Sequence, residues 1–230
     1  MSMRIYTMTH KKFTPLPDPL YVPLHVGRAC GENLGYLGDD TGEQISALNC
    51  YYSELTGFYW IWKNCHDADY VGTCHYRRYL INEKEQIYTE KEYRELLRKY
   101  DLVTTKKVLL NNSYYDGFLA NHNIRALEMT GKVITEKYPE YADAFEQLVN
   151  GRQTYFGNIL VTSKILFDEY ASWLFSIFFE VAERIELETG EDAYHKRVFG
   201  FISEFLLLVW VTVKKLRVYE CKVGMLSLIH

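Results

Sequence analysis

Apolar positions along this chain follow two rhythms. Short β-prone runs occur at residues 4–8, 70–74, 100–105, 154–162 and 216–223. Between them lie longer stretches whose apolar residues recur every three or four positions, the spacing of one helix face. Residues 49–64 show it most clearly, with Tyr51, Tyr52, Leu55, Phe58, Tyr59 and Trp62 on one side, and they predict a single helix with Asn49 as its cap. Further helices are predicted over 83–99, 118–127, 134–149, from Ser163 to the Gly190 region, and over 198–214. Residues 13–23 carry Pro15, Pro17, Pro19 and Pro23 and read as a stiff extended connection, and the Gly- and Asp-rich stretch that follows reads as irregular. Strands alternating with helices predict an α/β domain.

Within that pattern the run at 70–80, YVGTCHYRRYL, changes character halfway. Tyr70 to Cys74 suits a buried strand, and Gly72 lets another backbone come close. His75, Arg77 and Arg78 then arrive together, interleaved with Tyr76 and Tyr79. Ligands of open α/β sheets sit beyond the carboxyl ends of the strands, so this end is aimed at an anion. The first strand ends in a similar way, running into His10, Lys11 and Lys12. A solvated loop accounts equally well for the lysines. The reading adopted is a site for the diphosphate of a sugar nucleotide.

Composition narrows the context. The chain has 230 residues and 48% hydrophobic content, which fits one globular domain over 1–230, with residues 1–105 as the nucleotide-sugar half and 106–230 as the acceptor half. Net charge is −4, so no global field recruits nucleic acid or an anionic membrane, and an anion site must be local. Tyr is abundant, with 20 residues, and its apolar body with a polar tip suits half-buried clefts. Five scattered cysteines without a CxxC pair fit reduced thiols in the cytoplasm. The N-terminus lacks an apolar signal core, and the longest apolar run, interrupted by Glu204, is too short for a membrane span.

Several other residues carry chemistry. Glu204 stands alone in a strongly apolar helix and must be paired or hold its proton, which makes it a candidate general base; a buried ion pair with Arg197, Arg77 or Arg78 is the structural alternative. Asp192 is a second candidate. Asp39 and Asp40 can face a ribose or a divalent cation, although Asp-Asp-Thr-Gly is also an ordinary turn. His122, Gly157 and Asn158 are candidates for the acceptor or sugar side, Gly157-Asn158 because it interrupts a strand-like run. Glu54, near the apolar face of the first helix, reads as a satisfied structural carboxylate.

Taken in order, HVGRA, NLGYLGDDTG, YYSELTGFYWIWKN, DYVGTCHYRRYL, YFGNILV and RVFGFISEFLL closely resemble the small glycosyltransferases of bacterial capsular and exopolysaccharide gene clusters. That family was long labelled only as a domain of unknown function. The resemblance spans nearly the whole chain. It implies a single GT-A-like, Rossmann-like domain with a mixed, mostly parallel central sheet flanked by helices. It also implies a UDP-sugar donor, a glycan or lipid-linked glycan acceptor, and transfer of galactose or galactofuranose in capsule, exopolysaccharide or lipopolysaccharide synthesis. A lipid-linked acceptor would be met at the inner face of the membrane, by peripheral contact. One departure is informative. GT-A enzymes usually end a central strand in Asp-x-Asp, which holds a cation, whereas here the strand ends in His75-Tyr76-Arg77-Arg78. Fixed guanidinium charge can take over that role, so no metal is expected at the site, with Asp39 and Asp40 as a fallback for Mn2+ or Mg2+. The competing class is a non-catalytic module binding a sugar nucleotide or nucleic acid; the acidic balance and the short basic patch argue against nucleic acid.

Overall fold

In the computed structural model, which describes residues 2–187 and 194–225, ten strands and eight helices follow one another along the chain. β1 (Met3–Thr9) and β2 (Tyr21–His25) pair in parallel, and β3 (Leu37–Gly38) extends the same edge. α1 (Asn49–Tyr52) and α2 (Leu55–Asn64) lead into β4 (Tyr70–His75), which pairs in parallel with β1. A two-residue turn returns the chain as β5 (Arg78–Ile81). α3 (Glu90–Leu97), β6 (Leu102–Thr105) and the short β7 (Val108–Leu109) follow, then α4 (Tyr114–Asn121), α5 (Ile124–Lys137) and α6 (Ala142–Val149). β8 (Gln153–Thr154), β9 (Leu160–Ser163), α7 (Lys164–Arg184), α8 (Val198–Val213) and β10 (Val218–Met225) complete the order.

The large sheet runs β3-β2-β1-β4-β5-β10-β6-β9, and β9 returns to pair with β4. The expectation of an open, mostly parallel Rossmann-like sheet is corrected here. Only the β3-β2-β1-β4 side and the β10–β6 pair are parallel; the other pairings are antiparallel, and β4, β5, β10, β6 and β9 close into a five-stranded ring. β4 takes part in both halves because its first residues, Tyr70 to Thr73, pair with β9 while His75 pairs with Arg78 of β5. Gly72 makes the junction fit. A Cβ there would lie 2.7 Å from Val161 Cγ2 and 2.9 Å from the Leu160 carbonyl oxygen.

Alternation along the strands separates two cores. Val71, Leu102 and Leu160 face the larger core, which they share with α2, α5, α7 and α8. Cys74, Val103, Val161 and Cys221 face the other way, into a smaller cluster with Tyr79 and, from α3, Tyr93. α8 is apolar over most of its surface because most of it is buried; Phe199, Ile202, Phe205, Leu206 and Val209 expose essentially nothing.

Several predicted elements are redrawn; the helix predicted over 118–127 is divided between α4 and α5, and the strand-like run 154–162 between β8 and β9. β2 contains Pro23, whose register partner is Thr7, so the proline-rich connection contributes a strand. The single helix over 49–64 breaks at Ser53 (φ 53°, ψ −134°), with Asn49 Nδ2 donating to the Ser53 carbonyl at 2.6 Å. The helix predicted over 134–149 is interrupted at Tyr138-Pro139, where proline cannot continue it.

Candidate active site

β1 has β2 on one side and β4 on the other, so the strand order reverses between β1 and β4, and the crevice beyond their carboxyl ends is where an α/β sheet offers a ligand site. The two strand ends are tied together there, the N–H of Tyr76 donating to the Met8 carbonyl at 3.1 Å. A cleft of about 1290 Å³ opens at this point. Its strand-side wall carries His10, His75, Tyr76, Arg77 and Arg78, and its helical wall carries Arg197, Gly200, Phe201 and Glu204 of the α8 region with Gly117, Phe118, Asn121 and His122 of the α4 region.

Arg77 reaches the cleft from the turn between β4 and β5 and Arg78 from the first position of β5; among the described residues neither forms a salt bridge, although the charge of Arg78 is felt by Glu204. Arg77 lies over the Tyr76 ring, 5.1 Å from its centroid, and the His10 ring meets the same tyrosine edge-on at 5.8 Å. Burial lowers the pKa of His10, and the positive charges of Lys11, Arg197 and Arg77 lower it further. His10 is therefore a neutral hydrogen-bonding group in a cationic neighbourhood.

The turn Phe156-Gly157-Asn158 links the two walls. Threonines of the ring strands hold it: Thr73 Oγ1 donates to the Asn158 carbonyl (2.9 Å), Thr104 Oγ1 to Ile159 (2.6 Å) and Thr105 Oγ1 to Phe156 (3.3 Å). Gly157 has φ 93° and Asn158 φ 47°, a left-handed pair that presents both residues to their neighbours. His75 Nε2 donates to the Gly157 carbonyl at 2.5 Å. That proton is thus committed to the turn, and His75 can donate to a ligand only through Nδ1 in its charged form.

On the other side of the turn, the Gly157 N–H donates to Glu204 Oε1 at 2.6 Å. The next residue, Asn158, donates from Nδ2 to Glu54 Oε1 (2.6 Å) and to the Gly200 carbonyl (3.0 Å), and its Oδ1 accepts from Ser203 Oγ (2.9 Å). Two carboxyl groups from distant segments are therefore held by consecutive residues. Burial raises the Glu204 pKa to about 8, the nearby charge of Glu54 adds to the rise, and the Gly157 N–H and Arg78 oppose it. Glu54 is a satisfied carboxylate, as the sequence predicts, and it also lines the cleft, which helical periodicity does not show. It faces the cleft because Ser53 breaks the helix immediately before it.

The remaining candidates divide. His122 lines the helical wall, stacked on Phe201 at 4.2 Å and beside Phe118 at 4.8 Å. Burial lowers its pKa to about 4, with His195 contributing, so it is a neutral aromatic surface. Lys11 is exposed and lies outside the cleft lining. Asp39 and Asp40 also lie outside that lining. Asp39 is fully buried and accepts from the N–H groups of Gly27 (2.8 Å) and Arg28 (3.2 Å) and from Ser46 Oγ, so it closes a local turn; Asp40 faces Arg28 at 3.5 Å. No group of three His, Cys, Asp or Glu residues suited to a metal ion occurs among the described residues. Asp192 lies outside the described residues.

Sheet and cleft together define a mixed α/β domain with a cation-rich crevice at a topological switch point. The chain belongs to the family described as "Domain of unknown function (DUF4422)", whose match runs over residues 4–215. In three dimensions it is similar to a structure titled "WbbM bifunctional glycosytransferase apo structure", with a TM-score of 0.91 and 31% identity. The match covers 99% of this chain and 46% of that one, so this chain spans less than half the length of that protein. No curated protein matches this sequence.

Proposed function

We propose that this chain is a glycosyltransferase that moves a hexosyl unit, galactose or galactofuranose by the sequence resemblance, from a UDP-sugar to a glycan hydroxyl during synthesis of a surface polysaccharide. The likeness to part of a bifunctional glycosyltransferase supports transfer in general. The observation that carries the reading is the convergence, on one cleft, of arginines without salt bridges among the described residues and a carboxyl group whose pKa is raised to about 8.

Each group has a task in that reaction. Arg77 and Arg78 neutralise the charge that develops on the departing nucleoside diphosphate, where fixed, preorganised charge is most effective. In an inverting displacement the acceptor oxygen forms its bond to the anomeric carbon while the bond from that carbon to the diphosphate oxygen breaks. The electron pair leaves on the diphosphate, and the hydroxyl proton passes to Glu204. A base is most useful when its pKa lies near the working pH, which a carboxylate near 8 satisfies. The Gly157-Asn158 turn holds the sugar side of the cleft, and the neutral face of His122 beside Phe201 offers the acceptor a flat stacking surface. Guanidinium charge serves where related folds use a cation, so no metal is required in this reading. The cations line a concave cleft, not an extended stripe, which favours a small nucleotide over a polynucleotide.

A thermal-shift panel of UDP-, GDP-, CMP- and dTDP-sugars, with EDTA or with Mn2+, tests it, because a ligand specific for the native state raises Tm. A shift with UDP-sugars alone, unchanged by EDTA, is expected. No shift with any nucleotide sugar would overturn the reading.

A further inference from the structure

We infer that Arg197, on the helical wall, is a third guanidinium of the diphosphate site, closing over the anion from the side opposite Arg77 and Arg78. The inference rests on the transferase reading above and extends it to a residue that the sequence offers only as a partner for Glu204.

Arg197 precedes the first turn of α8 and lines the cleft. Its guanidinium is fixed by two rings, lying 5.3 Å from the centroid of Tyr194 and 5.8 Å from that of Phe201. The rings hold its plane without consuming its N–H donors, since the attraction is to the aromatic face. No ion pair engages it among the described residues, and its Nε is buried with no hydrogen-bond partner. A buried, charged donor left unmatched is costly, and a protein retains one where a ligand will match it. α8 itself starts without a side-chain cap, so the positive end of a 16-residue helix adds to the same local charge.

Position decides which charge Arg197 serves. The positive charges on Glu204 come from Arg78, not from Arg197, so the proposed Arg197–Glu204 pair does not form. Arg197 instead acts on His10, together with Lys11 and Arg77. Like charges brought together across a cleft repel one another, and an anion with several oxygens between them relieves that repulsion. A diphosphate has the oxygens to engage both walls at once, and a planar guanidinium pairs with phosphate bidentately.

Isothermal titration of the full chain with UDP and with inorganic pyrophosphate, in EDTA, tests the assignment with Arg197→Ala and Arg197→Lys beside the unaltered protein. Losing one charge-assisted contact predicts roughly 10- to 100-fold weaker binding of both probes by Arg197→Ala. Arg197→Lys keeps the charge without the fork and falls between. Thermal melting of each variant checks that the fold persists, and the lysine variant serves if the alanine variant does not fold. Wild-type affinity for both probes in the variants would overturn the role of Arg197 and leave the transferase reading standing. Failure of the unaltered protein to bind either probe would overturn both. Binding of pyrophosphate but not UDP, weakened by Arg197→Ala, would support the clamp while removing the nucleotide.

Discussion

Glu54 and Glu204, 150 positions apart in the chain, are anchored to neighbouring residues of one turn: Asn158 donates to the first and the Gly157 N–H to the second, each at 2.6 Å. Glu204 is desolvated and feels the negative charge of Glu54, so it holds its proton to unusually high pH. A carboxyl group perturbed by burial and by a neighbouring charge is a frequent feature of acid–base sites.

Glu204→Gln removes the proposed base and keeps the shape. Transfer from UDP-sugar should fall by about 100-fold or more in kcat, within the range that positioned general bases supply, while UDP affinity stays within about twofold. Glu54→Gln should cost less in kcat and should shift the pH–rate profile to lower pH, because the neighbouring charge that raises Glu204 is gone. Unchanged profiles would remove both residues from the chemistry.

Stability should carry the same signature. The Glu204 carboxyl has an ordinary value of 4.5 in an unfolded chain and about 8 in the fold. Between these values the unfolded chain releases a proton that the native protein retains, so stability is full below about pH 4.5 and declines as pH rises toward 8. Each pH unit of that window contributes at most about 1.4 kcal/mol. The Tm of Glu204→Gln relative to the unaltered protein should therefore climb between pH 5 and pH 8.5.

Replacing Arg77 or Arg78 with Ala should weaken UDP binding by roughly 10-fold each, measured by titration calorimetry in EDTA. Because neither arginine forms a salt bridge among the described residues, their loss should leave Tm unchanged or raise it. A variant pair that binds UDP normally would remove the strand end from the nucleotide site.

Gly72→Ala tests the junction of the sheet. The added methyl would press on Val161 Cγ2 and on the Leu160 carbonyl, and a backbone oxygen has little room to move. A loss of about 1–3 kcal/mol in denaturant unfolding is expected, the usual range for overpacking. Equal stability would mean that β4 and β9 can separate cheaply.

Much of the cleft lining could be read from residue type. Basic groups at the ends of β1 and β4 stand out because the composition changes abruptly there, and Glu204 stands out because it is the one charged residue of α8. Gly157-Asn158 is marked by breaking an apolar run. Glu54 is hidden for the opposite reason: it fits the periodicity of a helix that does not continue through Ser53. Asp39 and Asp40 look available in sequence, and their local partners Gly27, Arg28 and Ser46 are visible only once the turn is folded. The ring of strands is equally beyond local pattern, since it depends on β9 and β10 returning from the far end of the chain. Even β2 was obscured, because Pro23 reads as a break and sits instead within a parallel pair.

Because β4 is shared by the parallel side and the closed ring, the turn bearing Arg77 and the start of β5 bearing Arg78 are held from both halves of the sheet. The opposite bank is built differently: side chains of α4 and the start of α8 meet there through stacked rings, His122 on Phe201 among them. Substitutions among those rings that spare Arg197 can reshape that bank while the strand end keeps its place.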